Sequence, residues 1–272
     1  MNEAKRWIYI TETLSFQPSE IVKFLMIIFY AGILVKDKNE LNKYIKGFIK
    51  HICLLAPIIA LLLLQPHFSA SIVIIGICSV MMIVAGCRLW HFIATGLTIG
   101  IPGIIGLIII EPYRLTRVTT FLDPWKDATG TGWQVIQSLY AIGSGELFGA
   151  GLGESKQKYL YIPEPHNDFI FAVIAEETGF VGCMLVIILF AVFIWRGFFI
   201  SMNAEDTYGT LLAIGLTTMI GLQMLINIAV VTNTMPVTGM PLPFFSYGGS
   251  AIIADLIAVG ILLNVSRIKR AS

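Results

Sequence analysis

The sequence predicts an all-α, polytopic integral membrane protein, a helical bundle of about seven transmembrane helices. Three observations carry that prediction. Only 13% of the 272 residues are charged, about half the usual share for a soluble domain. The apolar fraction is 56% before 25 glycines are counted, and the mean hydropathy is +0.81. Several uncharged runs reach the roughly 20 helical residues that a bilayer core of about 30 Å demands. Lipid cannot satisfy open backbone groups, so such runs are built as helices. This composition excludes disorder and argues against an ordinary soluble enzyme. A net charge of +1 gives no reason to expect nucleic-acid binding.

The expected spans fall at about 19–35, 48–65, 68–87, 91–110, 169–195, 207–235 and 249–266. Met1–Ser15 lacks the apolar core and cleavage site of a signal peptide. Basic residues set the orientation. Lys36, Lys38, Lys43, Lys46 and Lys50 follow the first span, Arg88 the third, Arg196 the fifth, and Arg267, Lys269 and Arg270 the last. Seven spans put all four clusters on one side, which the positive-inside rule makes cytoplasmic, the C-terminus included. Cys53, Cys78, Cys87 and Cys183 show no metal-ligand spacing and read as small buried apolar residues.

The segment 111–168 then faces outward as an extracytoplasmic loop within a single membrane domain, 1–272. It holds seven acids and five bases, and a connector of that length without a job is uncommon. Residues 133–149 (WQVIQSLYAIGSGELFG) read as a short amphipathic helix. A glycine cluster at 143–153 and the polar group Pro163, Glu164, Pro165, His166, Asn167 and Asp168 complete the segment.

A helix over 169–195 would run about 40 Å, longer than the hydrocarbon layer. Asp168, Glu176 and Glu177 therefore belong to an outer extension or line a wet cavity, because an acid facing lipid costs several kcal/mol. Asp168 sits where a helix N-cap is expected; capping and catalysis are both open to it. Glu20 and Lys23, near the head of the first span, are i,i+3 neighbours that can pair. Lys23 can otherwise snorkel outward or serve an anionic ligand in a polar cavity. Asp255 in the last span is an intramembrane acid, read as a pairing partner or a functional group. The outer bases Arg6, Arg114, Arg117, Lys156 and Lys158 suit headgroups or a gathered diphosphate site. The SYGGS segment at 246–250 suits a close-packed helix start or an anion site.

Five ordered segments carry a resemblance: KRWI at 5–8, QPSEIVK at 17–23, FLDPW at 121–125, the stretch 132–182, and PVTGMPLPFFSYGGS at 236–250. In these the chain resembles the SEDS proteins (shape, elongation, division and sporulation), the group of RodA, FtsW and SpoVE, with PVTG closer to RodA and SpoVE. The resemblance implies a peptidoglycan glycosyltransferase that polymerises lipid II at the outer face of the bacterial plasma membrane. It also implies a class B penicillin-binding protein as partner. Asp168 falls on the family's catalytic acid, implied to act as general base on the acceptor sugar. Glu20, Lys23, Arg6, Lys158, Glu164, His166 and Ser246 form the implied substrate-binding set, with a divalent cation (Mg or Mn) as the implied cofactor.

The chain departs from the family pattern in four places. His67 stands where an acid is usual, Asn167 where Thr is common, Thr238 where FtsW-type members carry Lys, and Asp255 where Asn is common. Three spans usual before KRWI are not in this sequence. Two other functions fit the same polytopic chain: a lipid II flippase, which internal repeats would favour, and a non-catalytic scaffold for a penicillin-binding protein.

Overall fold

The structure is a computed structural model. It describes residues 8–9, 15–65, 68–110, 112–155 and 167–267. Two short antiparallel strands, β1 (Ile8–Tyr9) and β2 (Ser15–Phe16), pair Ile8 with Phe16. All other regular structure is helical: α1 (Pro18–Lys36), α2 (Lys50–Leu64, entered through a π-helical turn at Tyr44–Ile49), α3 (Phe68–Ala85), α4 (Leu89–Thr95), α5 (Ile101–Ile110), α6 (Pro112–Leu122), α7 (Trp133–Ser144), α8 (Ile170–Met202), α9 (Thr207–Val231) and α10 (Gly249–Arg267). The described residues pack as two compact units. One draws on 1–95, 193–222 and 248–272, the other on 96–192 and 223–247.

In the first unit α1 packs on α3 and α10, and α2 on α3. One face of α1 buries Met26, Ile27, Tyr30, Ala31 and Leu34, while Ile21, Leu25 and Phe29 stay exposed. Gly215 of α9 lets three helices approach closely: a Cβ there would lie 2.6 Å from Ile27 and 2.9 Å from Met81. Small residues at such crossings are how helices pack when apolar burial gives no drive in lipid. Thr217 and Asp255 are buried in this unit and Gln223 and Asn227 in the second, where Leu185, Ile188, Leu189 and Val192 of α8 are exposed. All four cysteines are free thiols. Cys78 and Cys87 are buried as expected; Cys53 is exposed and Cys183 half-buried, on outward helix faces that suit an apolar thiol.

Among the described residues, six helices are long and apolar enough to cross a membrane: Pro18–Lys36, Tyr44–Leu64, Phe68–Ala85, Ile170–Met202, Thr207–Val231 and Gly249–Arg267. The expected span at 91–110 is helical but interrupted. A π-helical turn, Gly96–Gly100, separates α4 from α5. Pro102 lacks the N–H that an uninterrupted α-ladder would take from it, which fits a π-turn just before it. The span expected at 207–235 ends at Val231, where Asn233 takes a left-handed φ of 51°.

The second unit corrects two further expectations. The segment 111–168 is more structured than a loop with one helix, since α6 and a 3-10 turn at Pro124–Asp127 precede α7. The amphipathic helix stops at Ser144 rather than 149. Asp127 closes the turn: its carboxylate accepts hydrogen bonds from Thr131 N–H at 2.8 Å and Thr131 Oγ1 at 3.0 Å. Those donors hold its pKa below the ordinary carboxylate value.

The second correction concerns α8, which is two helices joined at Gly179 (φ 66°, ψ −164°). A helix break leaves carbonyls orphaned on one side and amides on the other. Here the glycine-rich loop satisfies both. Ala150 N and Gly151 N donate to Glu176 O and Glu177 O at 2.9 and 3.1 Å, while Phe180 N and Val181 N donate to Glu146 O and Leu147 O at 2.9 and 3.1 Å. Gly179 needs a positive φ, and a Cβ on it would overlap Gly149 N. Residues 180–202, about 35 Å of helix at 1.5 Å per residue, cross a bilayer without the acids. Residues 170–178 form a separate short helix that carries Glu176 and Glu177.

Candidate active site

Asp168 lies two residues ahead of that short helix, in the turn 167–169, and is half-buried. Two polar ties fix its main chain and that of Asn167 before it. Asn227, from the last turns of α9, donates from Nδ2 to Asp168 O at 2.8 Å and to Met240 O at 2.7 Å. Ser246 donates from Oγ to Asn167 O at 2.6 Å and accepts from Leu242 N–H at 2.7 Å. The loop 236–246 is thereby stitched to residues 167–168 at two adjacent points.

The same loop covers the carboxylate. Gly239 (φ 68°) faces it so closely that a Cβ there would lie 3.1 Å from Asp168 Oδ2. Arg117 of α6 holds the loop from another side, donating to Val237 O at 2.6 Å. Phe244 takes a φ of 66°, an outlier for a bulky side chain. Backbone strain of this kind persists where surrounding structure over-determines it, often at functional sites. Asn227 bears a related penalty. Two carbonyls fix its amide orientation, so its Oδ1 is left buried without a partner among the described residues. An unsatisfied buried acceptor costs about 1–3 kcal/mol.

The remaining candidate residues divide into two groups. Lys23 donates to Glu20 Oε1 at 2.8 Å, with side chains only 1% and 5% exposed. Lys23 thus lies inward on its neighbour's carboxylate and does not snorkel, in the first unit. Glu176 is buried too and accepts from Ser155 Oγ. Ser246 closes the loop, and Asp255 is 3% exposed. Arg6, His67, Lys158, Glu164 and His166 lie outside the described residues. Asn227 and Gly239 were not singled out by sequence reasoning. For Asn227 the available signal was an amide inside an apolar helix, where a polar residue is expensive unless it faces a partner.

Among the described residues no three His, Cys, Asp or Glu side chains gather closely enough to hold a metal ion.

The family model of FtsW, RodA and SpoVE, described as a cell cycle protein, matches residues 1–271. Stage V sporulation protein E of Bacillus subtilis (strain 168) is 46% identical over 269 residues, covering 99% of this chain and 73% of the relative. A probable peptidoglycan glycosyltransferase FtsW of Geobacter sp. (strain M18) is 41% identical over 269 residues, covering 99% and 73%. A chain from a solved peptidoglycan synthase complex, described as coordinating polymerization and crosslinking, superposes with a TM-score of 0.80 at 32% identity, covering 98% and 74%. Rod shape determining protein RodA of Thermus thermophilus gives 0.64 at 28% identity, covering 100% and 72%. Likeness of this kind takes in α8, α9 and the loop 236–246 that together hold Asp168. The chain is a multi-pass membrane protein and belongs to the FtsW/RodA/SpoVE family, the SEDS proteins.

Proposed function

We propose that this chain polymerises lipid II at the outer face of the plasma membrane, with Asp168 as general base. That the chain is a peptidoglycan glycosyltransferase follows from its FtsW relatives at 41% and 43% identity. The reaction is the proposal. Asp168 takes the proton from the acceptor sugar's 4-hydroxyl as its oxygen bonds to the donor's anomeric carbon. The bond from that carbon to the diphosphate oxygen breaks, and its electron pair leaves with the polyprenyl diphosphate. A base for this step must reach a hydroxyl and keep a fixed direction.

One observation supports the assignment above the others. Asp168 is half-buried while its backbone is tied by Asn227 and its neighbour's by Ser246. The break at Gly179 supports it as well, because the membrane-length helix begins after the acids. Facing outward rests on the distribution of Lys and Arg. A class B penicillin-binding protein is the proposed partner, in keeping with the synthase complex among the similar structures.

The test is polymerisation of purified lipid II by the full chain. Asp168→Asn is expected to lower glycan formation by about 10²–10⁴-fold, the usual contribution of a positioned base. Polymerisation at the parent rate would remove Asp168 from the mechanism. Liposomes carrying the chain are expected to move labelled lipid II between leaflets no faster than empty ones; clear movement would favour a transporter.

A further inference from the structure

The connector from α1 to α2, residues 36–50, carries five lysines against two acids. Lys50 Nζ and His51 Nε2 lie 2.6 and 3.5 Å from one of those acids, at Asp37 Oδ2. Lys36, Lys38, Lys43 and Lys46 are exposed and form no ion pair among the described residues, and neither does Glu40. Such a run is ordinarily a solvated face. Here it is folded against a second cationic segment.

Aromatic rings make that join. Tyr44, in the π-helical turn, packs edge-on against His91 of α4 with centroids 5.2 Å apart, and its hydroxyl lies 3.0 Å from Thr95 Oγ1. Phe48, 1% exposed, meets Phe92 at 4.7 Å. The connector is pressed onto the same turn, since a Cβ on Gly47 would overlap Glu40 O. The main chain that carries Lys43 and Lys46 is thereby fixed beside the one that carries Arg88. Arg88 is also exposed and also forms no ion pair among the described residues.

Large apolar side chains stand exposed in the same two segments: Ile45 at 74%, Leu89 at 61% and Trp90 at 69%. Their depth explains them. Tyr44–Leu64 is long and apolar enough to cross a membrane, and Leu89 and Trp90 open α4. Both groups sit where hydrocarbon gives way to water, the level at which aromatic residues and cations meet headgroups. A soluble anion would use the cations alone. A phosphate carried on acyl chains uses the cations and the apolar groups together.

We propose that the π-turn and the head of α4 form a docking surface for an anionic phospholipid of the leaflet on the lysine-rich side. Its phosphate lies on Lys43, Lys46 and Arg88, and its acyl chains lie on Ile45, Leu89 and Trp90. Basic clusters next to a membrane helix recognise anionic headgroups in this way. The surface belongs to the first unit and Asp168 to the second, and the inference does not depend on the polymerase reading.

The test uses the full chain in mild detergent, with lipid retention read by native mass spectrometry and its place by hydrogen exchange. Phosphatidylglycerol is expected to be retained about a hundredfold more strongly than phosphatidylcholine, and to slow exchange at residues 43–48 and 88–92. Lys43→Gln, Lys46→Gln and Arg88→Gln are each expected to weaken phosphatidylglycerol about fivefold, the worth of one cation near a charged surface. Arg88→Lys keeps the charge and is expected to keep the lipid, which separates loss of charge from loss of fold. Lys126→Gln, at an exposed lysine of the second unit, is expected to change nothing. Ile45→Ser combined with Trp90→Ser is expected to weaken both lipids. Equal retention of the two lipids overturns the proposal, as does a loss in Lys126→Gln as large as in the other three. Displacement by inorganic phosphate, with no effect of the Ile45 and Trp90 changes, also overturns it and leaves a site for free anions.

Discussion

Glu20 lies in the first turn of α1 and Asp168 two residues ahead of α8, yet their surroundings differ throughout. Glu20 is 4% exposed and its carboxylate is engaged by the ammonium of Lys23 one turn away. Asp168 is half-buried, the ties around its backbone run to carbonyl oxygens, and its carboxylate lies against the loop at Gly239. One site neutralises a charge inside the helix packing; the other fixes the backbone of an acid that is only half-buried. Burial with a counter-ion favours structure, and a fixed backbone with partial exposure favours chemistry.

The contrast predicts effects of different kind and size. In the first site, Glu20→Gln leaves Lys23 as an uncompensated buried charge, and breaking such a pair costs about 3–5 kcal/mol. Thermal unfolding in detergent should show that loss, and Glu20→Gln with Lys23→Met should recover most of it. If the single variant melts like the parent, the pair is not structural. Next in size is Gly179→Ala, which forces a side chain into a positive φ, a strain of order 1–3 kcal/mol, and against Gly149. Lower melting temperature and faster exchange at Phe180 and Val181 are expected.

At the Asp168 site the expected effect is on rate. Ser246→Ala removes the tie to Asn167 O, and misplacement of a catalytic group costs up to about a hundredfold. The turnover number is expected to fall about tenfold with KM unchanged, and Ser246→Thr should restore part of it. Ser138→Ala, which removes an equivalent buried hydroxyl bond to Val231 O at 2.8 Å, is the control. Equal rate losses in the two would erase the distinction between orienting and merely stabilising bonds.

The smallest effect belongs to a third acid. The pKa of exposed Asp127 is held below its ordinary value by Thr131, so its support of the turn is present above the ordinary carboxylate range. That support fades as pH falls through the lowered pKa. An NMR titration should show the Thr131 amide shifting only in that acid range, and not at all in Asp127→Asn.

Much of the fold was legible because hydrocarbon imposes one pattern, long uncharged runs. α1, α2, α3, α9 and α10 follow it within a few residues. α7 was legible from its amphipathic periodicity. The break in α8 was not, because glycine is common in membrane helices and only the distant loop 146–151 makes its positive φ necessary. Likewise α6 hid among the charges of a segment read as loop. Within the site, Asp168 stood out by position and charge. Asn227 did not, since one amide in an apolar helix looks the same whether or not it binds a remote carbonyl. The inward turn of Lys23 depended on packing that no local pattern encodes.

The join at Gly179 bears on where the protein can be altered. A surface segment rich in glycine is normally the first choice for an epitope tag or an inserted reporter. Residues 146–151 break that habit, because their amides and carbonyls complete a neighbouring membrane helix. An insertion there would open the helix rather than lengthen a tether. The exposed pair Glu205 and Asp206, in the turn between α8 and α9, is the safer place to cut and paste.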